Sequence, residues 1–182
     1  TPLNHLAHVL YGRWGPFLQR CERRRRHPDD EPLSVGDAQV LVVGMGRIGS
    51  GAYAYLDGHG VRVLGLDSDM GKVESHVQAG RNVVYADAED PELWHRLSLG
   101  GVRVVMLALP DAEAKILASQ QLRRWGFRGM IASTHVYEEE RQPILDAGCD
   151  VTYNYFAEAG TGFAAHVAEA LQRNAVPDGA QG

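Results

Sequence analysis

The stretch VLVVGMGRIGSG, Val40 to Gly51, is an apolar run that breaks into three spaced glycines. Gly44, Gly46 and Gly49 spell GxGxxG between a run that reads as a strand and a stretch that reads as a helix, the setting in which this spacing holds a phosphate. Gly44 permits the tight turn, Gly46 lets the backbone approach an anion, and Gly49 lets the helix pack close to the sheet. Within the loop, Met45 and Gly46 lead into Arg47 and Ile48. Their N–H groups then face the anion with the help of the helix dipole, and the Arg47 side chain adds a cation. The competing reading is that the glycines only pack a helix against a sheet.

Outward from this loop, short apolar runs alternate with helical stretches. The runs are QVLVVG, VRVLGLD, NVVYAD, VRVVMLALP, GMIASTH and CDVTYN. Between them lie RIGSGAYAYLDGHG, SDMGKVESHVQAG, DPELWHRLSLG, DAEAKILASQQLRRWG and VYEEERQPILDAG. Near-continuous Val/Leu/Ile runs indicate parallel strands buried on both faces. With right-handed crossovers they predict an α/β fold, a doubly wound parallel sheet of about six strands. Asp90 and Pro91 form an N-cap and N1 pair. Glu138 to Glu140 read as the exposed, negative first turn of a helix.

Residues 1–36 read as a helical linker with a charged exit. Leu3, Leu6, Val9, Leu10 and Trp14 are spaced for one helical face, and Arg23 to Arg26 precede the acidic HPDDEP. The folded domain is placed at 37–173. It ends in an amphipathic helix whose Phe163, Val167 and Leu171 recur at helical spacing, and residues 174–182 are read as a frayed tail. That last helix has two readings of equal weight, packing on its own sheet or on a partner.

Asp67 ends VRVLGLD, 18 residues after Gly49. A carboxylate there accepts hydrogen bonds from both ribose hydroxyls of an adenosine. Ser68 and Asp69 follow it, and no arginine does. A 2′-phosphate would meet two negative charges, which disfavours NADP against NAD or an adenine mononucleotide. Asp87 and Ala88, after the third run, fall near an adenine, with capping of the next segment as the rival role for Asp87. Ala108, Leu109 and Pro110 follow the fourth run, and Ser133, Thr134 and His135 the fifth, where strand ends line the same crevice. For Pro110 a plain helix start is favoured.

A net charge of −5 among 182 residues gives no general reason to bind nucleic acid. No run of 18 apolar residues is present, so this polypeptide does not span a membrane. It begins at Thr1 rather than methionine and is read as a piece of a longer protein. Cys21 and Cys149 fit no metal spacing and read as idle thiols. His5 and His8 have helical spacing for a metal but no third ligand. Ser133 and His135 lie two apart on one strand, with Cα atoms about 6.6 Å apart, and make a poor nucleophile–base pair. A hydride-transfer enzyme needs a substrate pocket from a second domain or long loops, and only about 30 residues follow the sixth run. The binding motif is present and a reacting apparatus is not visible, which points to a sensor. The alternative is a small NAD-dependent oxidoreductase with a partner-supplied substrate site.

VLVVGMGRIG, VLGLDSD, VVYADAEDPELW and VVMLALPD, in that order, resemble the TrkA-N or RCK nucleotide-binding domain, over roughly Ala38 to Arg173. The leading LYGRWGPFLQRCERRRR resembles the linker that joins antiporter membrane helices to such a domain, as in Kef-type potassium-efflux proteins. The resemblance implies a Rossmann-like fold and a regulatory role in a bacterial potassium or cation:proton antiporter, on the cytoplasmic face of the membrane, this portion itself soluble. It also implies a homodimer joined to the membrane-embedded domain of the same chain. Gly44, Gly46, Arg47, Ile48 and Gly49 would hold the phosphates of AMP, ADP, ATP, NAD or NADH, Asp67 the ribose, and Asp87 with Ala88 the adenine side. Glutathione-gated members carry arginines in an ARARD-like segment where this chain has Ser133, Thr134, His135 and Val136. A thiol-peptide carboxylate would lose its charge-assisted partners there.

Overall fold

A computed structural model describes residues 33–175. The expected helix of the leading segment, the His5/His8 pair, Cys21, the four-arginine run and the end of the tail lie outside the described residues. Six parallel strands form the main sheet: β2 (Val40–Val43), β3 (Val63–Asp67), β4 (Val83–Tyr85), β6 (Val104–Leu107), β7 (Met130–His135) and β8 (Val151–Asn154). They coincide with the six apolar runs. Their order is β4-β3-β2-β6-β7-β8, so the winding of the chain across the parallel sheet reverses between β2 and β6. The register aligns Val43 with Leu66 on one side and with Leu107 on the other, so the strands around the reversal end together.

The helices are α1 (Arg47–Gly58), α2 (Met70–Gln78), α3 (Pro91–Arg96), α4 (Ala112–Arg124), α5 (Glu138–Asp146) and α6 (Tyr155–Ala175). Side-chain alternation along β2 shows why both faces must be covered. Leu41 and Val43 join the larger core with Leu107, Leu122, Ile131 and Ile144, while Val40 and Val42 join a smaller one with Tyr53 and Val73. Asp90 caps α3 by accepting the Glu92 N–H at 2.9 Å, with Pro91 at the first helical position. At the acidic start of α5, Glu140 reaches back to accept the N–H of Val136, the residue before the N-cap Tyr137, at 2.9 Å.

Two features differ from the sequence reading. The segment after Pro91 is not one helix. It turns at Leu97 into a two-residue strand, β5 (Leu97–Ser98), which pairs in parallel with β1 (Leu33–Ser34). The folded unit therefore begins at Leu33, inside the segment read as linker, and Val35 and Ala38 are part of its core. Of the two readings given for the last helix, packing of its apolar stripe on its own sheet is not what the fold shows. Along its 21 residues Phe156, Phe163, Val167 and Leu171 are all exposed, Phe163 by 73%. On the sheet face that carries α1 and α2, the outer strands are correspondingly bare, with Met130, Val151 and Tyr153 each about half exposed.

Candidate nucleotide-binding site

The winding reversal between β2 and β6 opens a cleft of about 560 Å³ at the carboxyl ends of the strands. Such a switch point, where neighbouring loops diverge to opposite faces, is where open α/β sheets bind ligands. Gly44 turns out of β2 with φ +90°. A Cβ on it would lie 2.7 Å from the Ala108 carbonyl oxygen, so the two diverging loops touch at their base. A Cβ on Gly49 would overlap the Gly44 carbonyl, which is how α1 comes so close to the turn. Gly46 is different: a side chain there would meet no atom within 4 Å. Packing accounts for the outer two glycines and leaves the middle one unexplained.

Gly46 is also the N-cap of α1, no side chain caps that helix, and its first turn holds no acid. The opening N–H groups of a helix have no intrahelical partners. Here they meet the cleft that Gly46, Arg47 and Ile48 line, and the positive end of the helix dipole favours an anion there.

Asp67 lies at the end of β3, buried to 7% exposure. Its Oδ2 accepts the Met45 N–H at 2.7 Å and its Oδ1 accepts the Asp69 N–H at 2.8 Å. A carboxylate has about four acceptor positions, so two remain for a ribose. Lys72, on the first turn of α2, brings its Nζ within 3.7 Å of Asp67 and 3.9 Å of Asp69. Sequence spacing did not single out Lys72. The sign that could have revealed it is its place three residues after Asp69, whose carboxylate caps α2 through the Gly71 and Lys72 N–H groups. It offsets part of the negative charge counted against a 2′-phosphate.

Ser68, Asp87, Ala88, Leu109 and Pro110 line the same cleft, joined by Glu89 and Asp111 and, from the end of β8, by Tyr155 and Phe156. Asp87 Oδ1 accepts the Glu89 N–H at 3.0 Å, a local turn rather than a cap on α3, which belongs to Asp90. The Ala88 loop is held from beneath by the buried Trp94, whose indole N–H donates to the Ala88 carbonyl at 2.9 Å.

Three residues of the expected set lie off the cleft wall. Met45 is buried under the sheet beside Gly65. Gly49 is covered by the turn. Ser133 falls on the side of β7 opposite to Thr134, because strand neighbours alternate. It is buried, its hydroxyl makes only long contacts to the carbonyls of Leu107 and Thr134, and Thr134 reaches the cleft instead. His135 is buried too, facing Glu138 at 3.6 Å. Among the described residues no group of three or more His, Cys, Asp or Glu is placed to hold a metal, and no helix is long and apolar enough to cross a membrane.

Comparison with known proteins places these features in a family. A protein of Alkalimonas amylolytica named as a K(+) efflux antiporter, KefB, is 31% identical over 120 residues, 65% of this chain and 17% of that protein. The glutathione-regulated potassium-efflux system protein KefC of Cronobacter sakazakii is 28% identical over 102 residues, 55% of this chain and 16% of that one. The chain thus corresponds to about a sixth of the length of these relatives. Among solved structures, the TrkA-N domain of the inner membrane protein ybaL from Escherichia coli superposes with a TM-score of 0.64 at 18% identity, covering 71% of this chain and 96% of that domain. The TrkA-N domain family matches residues 40–154, from the first residue of β2 to the last of β8. The chain belongs to the TrkA-N domain family.

Proposed function

We propose that this chain is the regulatory nucleotide-binding domain of a potassium or cation:proton antiporter, lying on the cytoplasmic side of the membrane. The observation that carries the reading is the uncapped start of α1 at Gly46, open to the cleft with no packing role for that glycine. An adenine nucleotide, AMP, ADP, ATP or NAD(H), lays its phosphates against Gly46, Arg47 and Ile48, its ribose against Asp67, and its adenine towards Asp87 and Ala88. No residue of the cleft is assigned a catalytic role. The similarity to KefB and KefC supports potassium efflux as the transport served. Glutathione is not assigned, since the end of β7 offers Ser133, Thr134 and His135 in place of arginines.

The domain acts as a homodimer in this reading. The exposed stripe of Phe163, Val167 and Leu171 on α6 and the bare face of β6 to β8 are apolar surfaces of one chain that do not cover each other. Between α1 and that face lies a hollow of about 430 Å³ lined by Ile48, Ala52, Met106, Ala132, Val151 and Tyr153. It also includes Arg47, so a partner helix seated there would adjoin the anion site. The segment before Leu33 then carries the dimer's two arrangements to the membrane part, and a ligand shifts them only through different affinity for each. Thermal unfolding of the chain with AMP, ATP, NAD or NADH tests the binding. A ligand at 100 times its Kd adds about 2.7 kcal/mol of stability, and no shift with any of the four counts against the reading.

A further inference from the structure

Met45 is fixed on three sides. Its side chain is buried beside Gly65 and Val83, its N–H is held by Asp67, and its carbonyl accepts two hydrogen bonds from helices on either side. Ser50 Oγ of α1 donates to that carbonyl at 2.8 Å, and His76 Nε2 of α2 lies 3.0 Å from it. The proton on His76 is assigned by its other neighbour. Arg81 Nη1 lies 3.0 Å from His76 Nδ1, and a guanidinium can only donate. Nδ1 therefore accepts, the ring carries its hydrogen on Nε2, and Nε2 donates to the Met45 carbonyl. Both acceptor positions of that oxygen are filled.

The consequence falls on Gly46. A trans peptide is planar, so the Met45 carbonyl and the Gly46 N–H point in opposite directions. Holding the carbonyl towards His76 and Ser50 turns the Gly46 N–H away from α2, and Gly46 lines the cleft. Glycine at this position gives the peptide freedom to flip, and a flipped peptide would present a carbonyl oxygen to an anion.

We infer that His76, oriented by Arg81, is a positioning residue that locks the Met45–Gly46 peptide in its phosphate-binding orientation. The inference rests on the nucleotide reading above. It adds a residue 31 positions from the loop that touches no ligand.

The test uses the 182-residue chain and its His76→Ala and His76→Gln variants, titrated with AMP and with adenosine. Glutamine can place an N–H where Nε2 stands, so it keeps the donor to Met45. The expected result is a loss of AMP affinity of about ten-fold or more in His76→Ala, unchanged adenosine affinity, and recovery to within about three-fold in His76→Gln. Equal losses for AMP and adenosine, or identical behaviour of the two variants, would overturn the lock. A wild-type chain that binds neither compound overturns the nucleotide reading, and the lock is then read in the ligand-free protein. Amide exchange at Gly46 and Arg47 is expected to accelerate in His76→Ala and not in His76→Gln. No acceleration in either overturns the lock on its own terms.

Discussion

Asp67 Oδ2 and the Met45 N–H lie 2.7 Å apart, joining the end of β3 to the glycine turn that follows β2. The residue proposed to read a ribose is therefore also a brace for the loop proposed to hold the phosphates. Asp67→Ala leaves the buried Met45 N–H without an acceptor, and the expected loss is about 1–3 kcal/mol in urea unfolding. Asp67→Asn keeps a carbonyl oxygen for Met45 and is expected to lose less. A fully stable Asp67→Ala would show that the brace contributes nothing.

The exposed stripe of α6 should decide the oligomeric state. Phe163→Glu with Leu171→Glu puts charges on residues that are 73% and 66% exposed in the single chain. Stability of the fold is expected to change little, while the mass in solution falls from dimer to monomer by light scattering. A wild-type chain that is already monomeric at high concentration would contradict the pairing.

Lys115 on α4 is 1% exposed, and its ammonium makes only a 3.4 Å contact to the Pro110 carbonyl. Burial holds its pKa below the ordinary lysine value, with Glu140 and Asp111 pulling the other way. The unfolded chain therefore binds this proton more readily than the folded one. Lys115 costs stability in full below its folded pKa and recovers it as pH rises towards 10.5. Lys115→Met is expected to be the more stable protein at neutral pH, with its advantage narrowing in alkali. An advantage constant from pH 7 to 10.5 would mean that packing, not charge, sets the difference.

The central strands β2, β3 and β6 were legible because a strand covered on both faces has no polar alternation to hide it, and β4, β7 and β8 because each is a short run bounded by glycine or turn residues. Val40 to Val43 and Val104 to Leu107 are apolar throughout for that reason. The glycine loop was legible because its spacing is local. What escaped is what depends on distant partners. Leu33–Ser34 and Leu97–Ser98 are strands only because they pair with each other, and two residues carry no period. His76 meets Met45 across 31 residues. The choice of Thr134 over Ser133 for the cleft rests on the phase of β7 in the sheet, which composition does not show. The stripe on α6 announced an apolar face and could not say what covers it.

The last two glycines of the motif separate packing from binding. Gly49→Ala drives a methyl into the Gly44 carbonyl and is expected to destabilise by about 1–3 kcal/mol, read by urea unfolding. Unchanged stability would mean that α1 can back away from the turn.

Gly46 gives the most direct test of the central claim, because there stability and binding should move in opposite directions. Aspartate is a preferred N-cap and suits a helix N-terminus, so Gly46→Asp is expected to gain about 0.5–1 kcal/mol. Its carboxylate would occupy the position proposed for the phosphates. Calorimetric titration of wild type and Gly46→Asp with AMP, ATP, NAD and NADH, beside urea unfolding of both, reads the two effects together. Saturable binding by the wild type and none by an equally or more stable Gly46→Asp is the result this account requires. Binding retained in Gly46→Asp, or absent from a folded wild type for all four ligands, would contradict it.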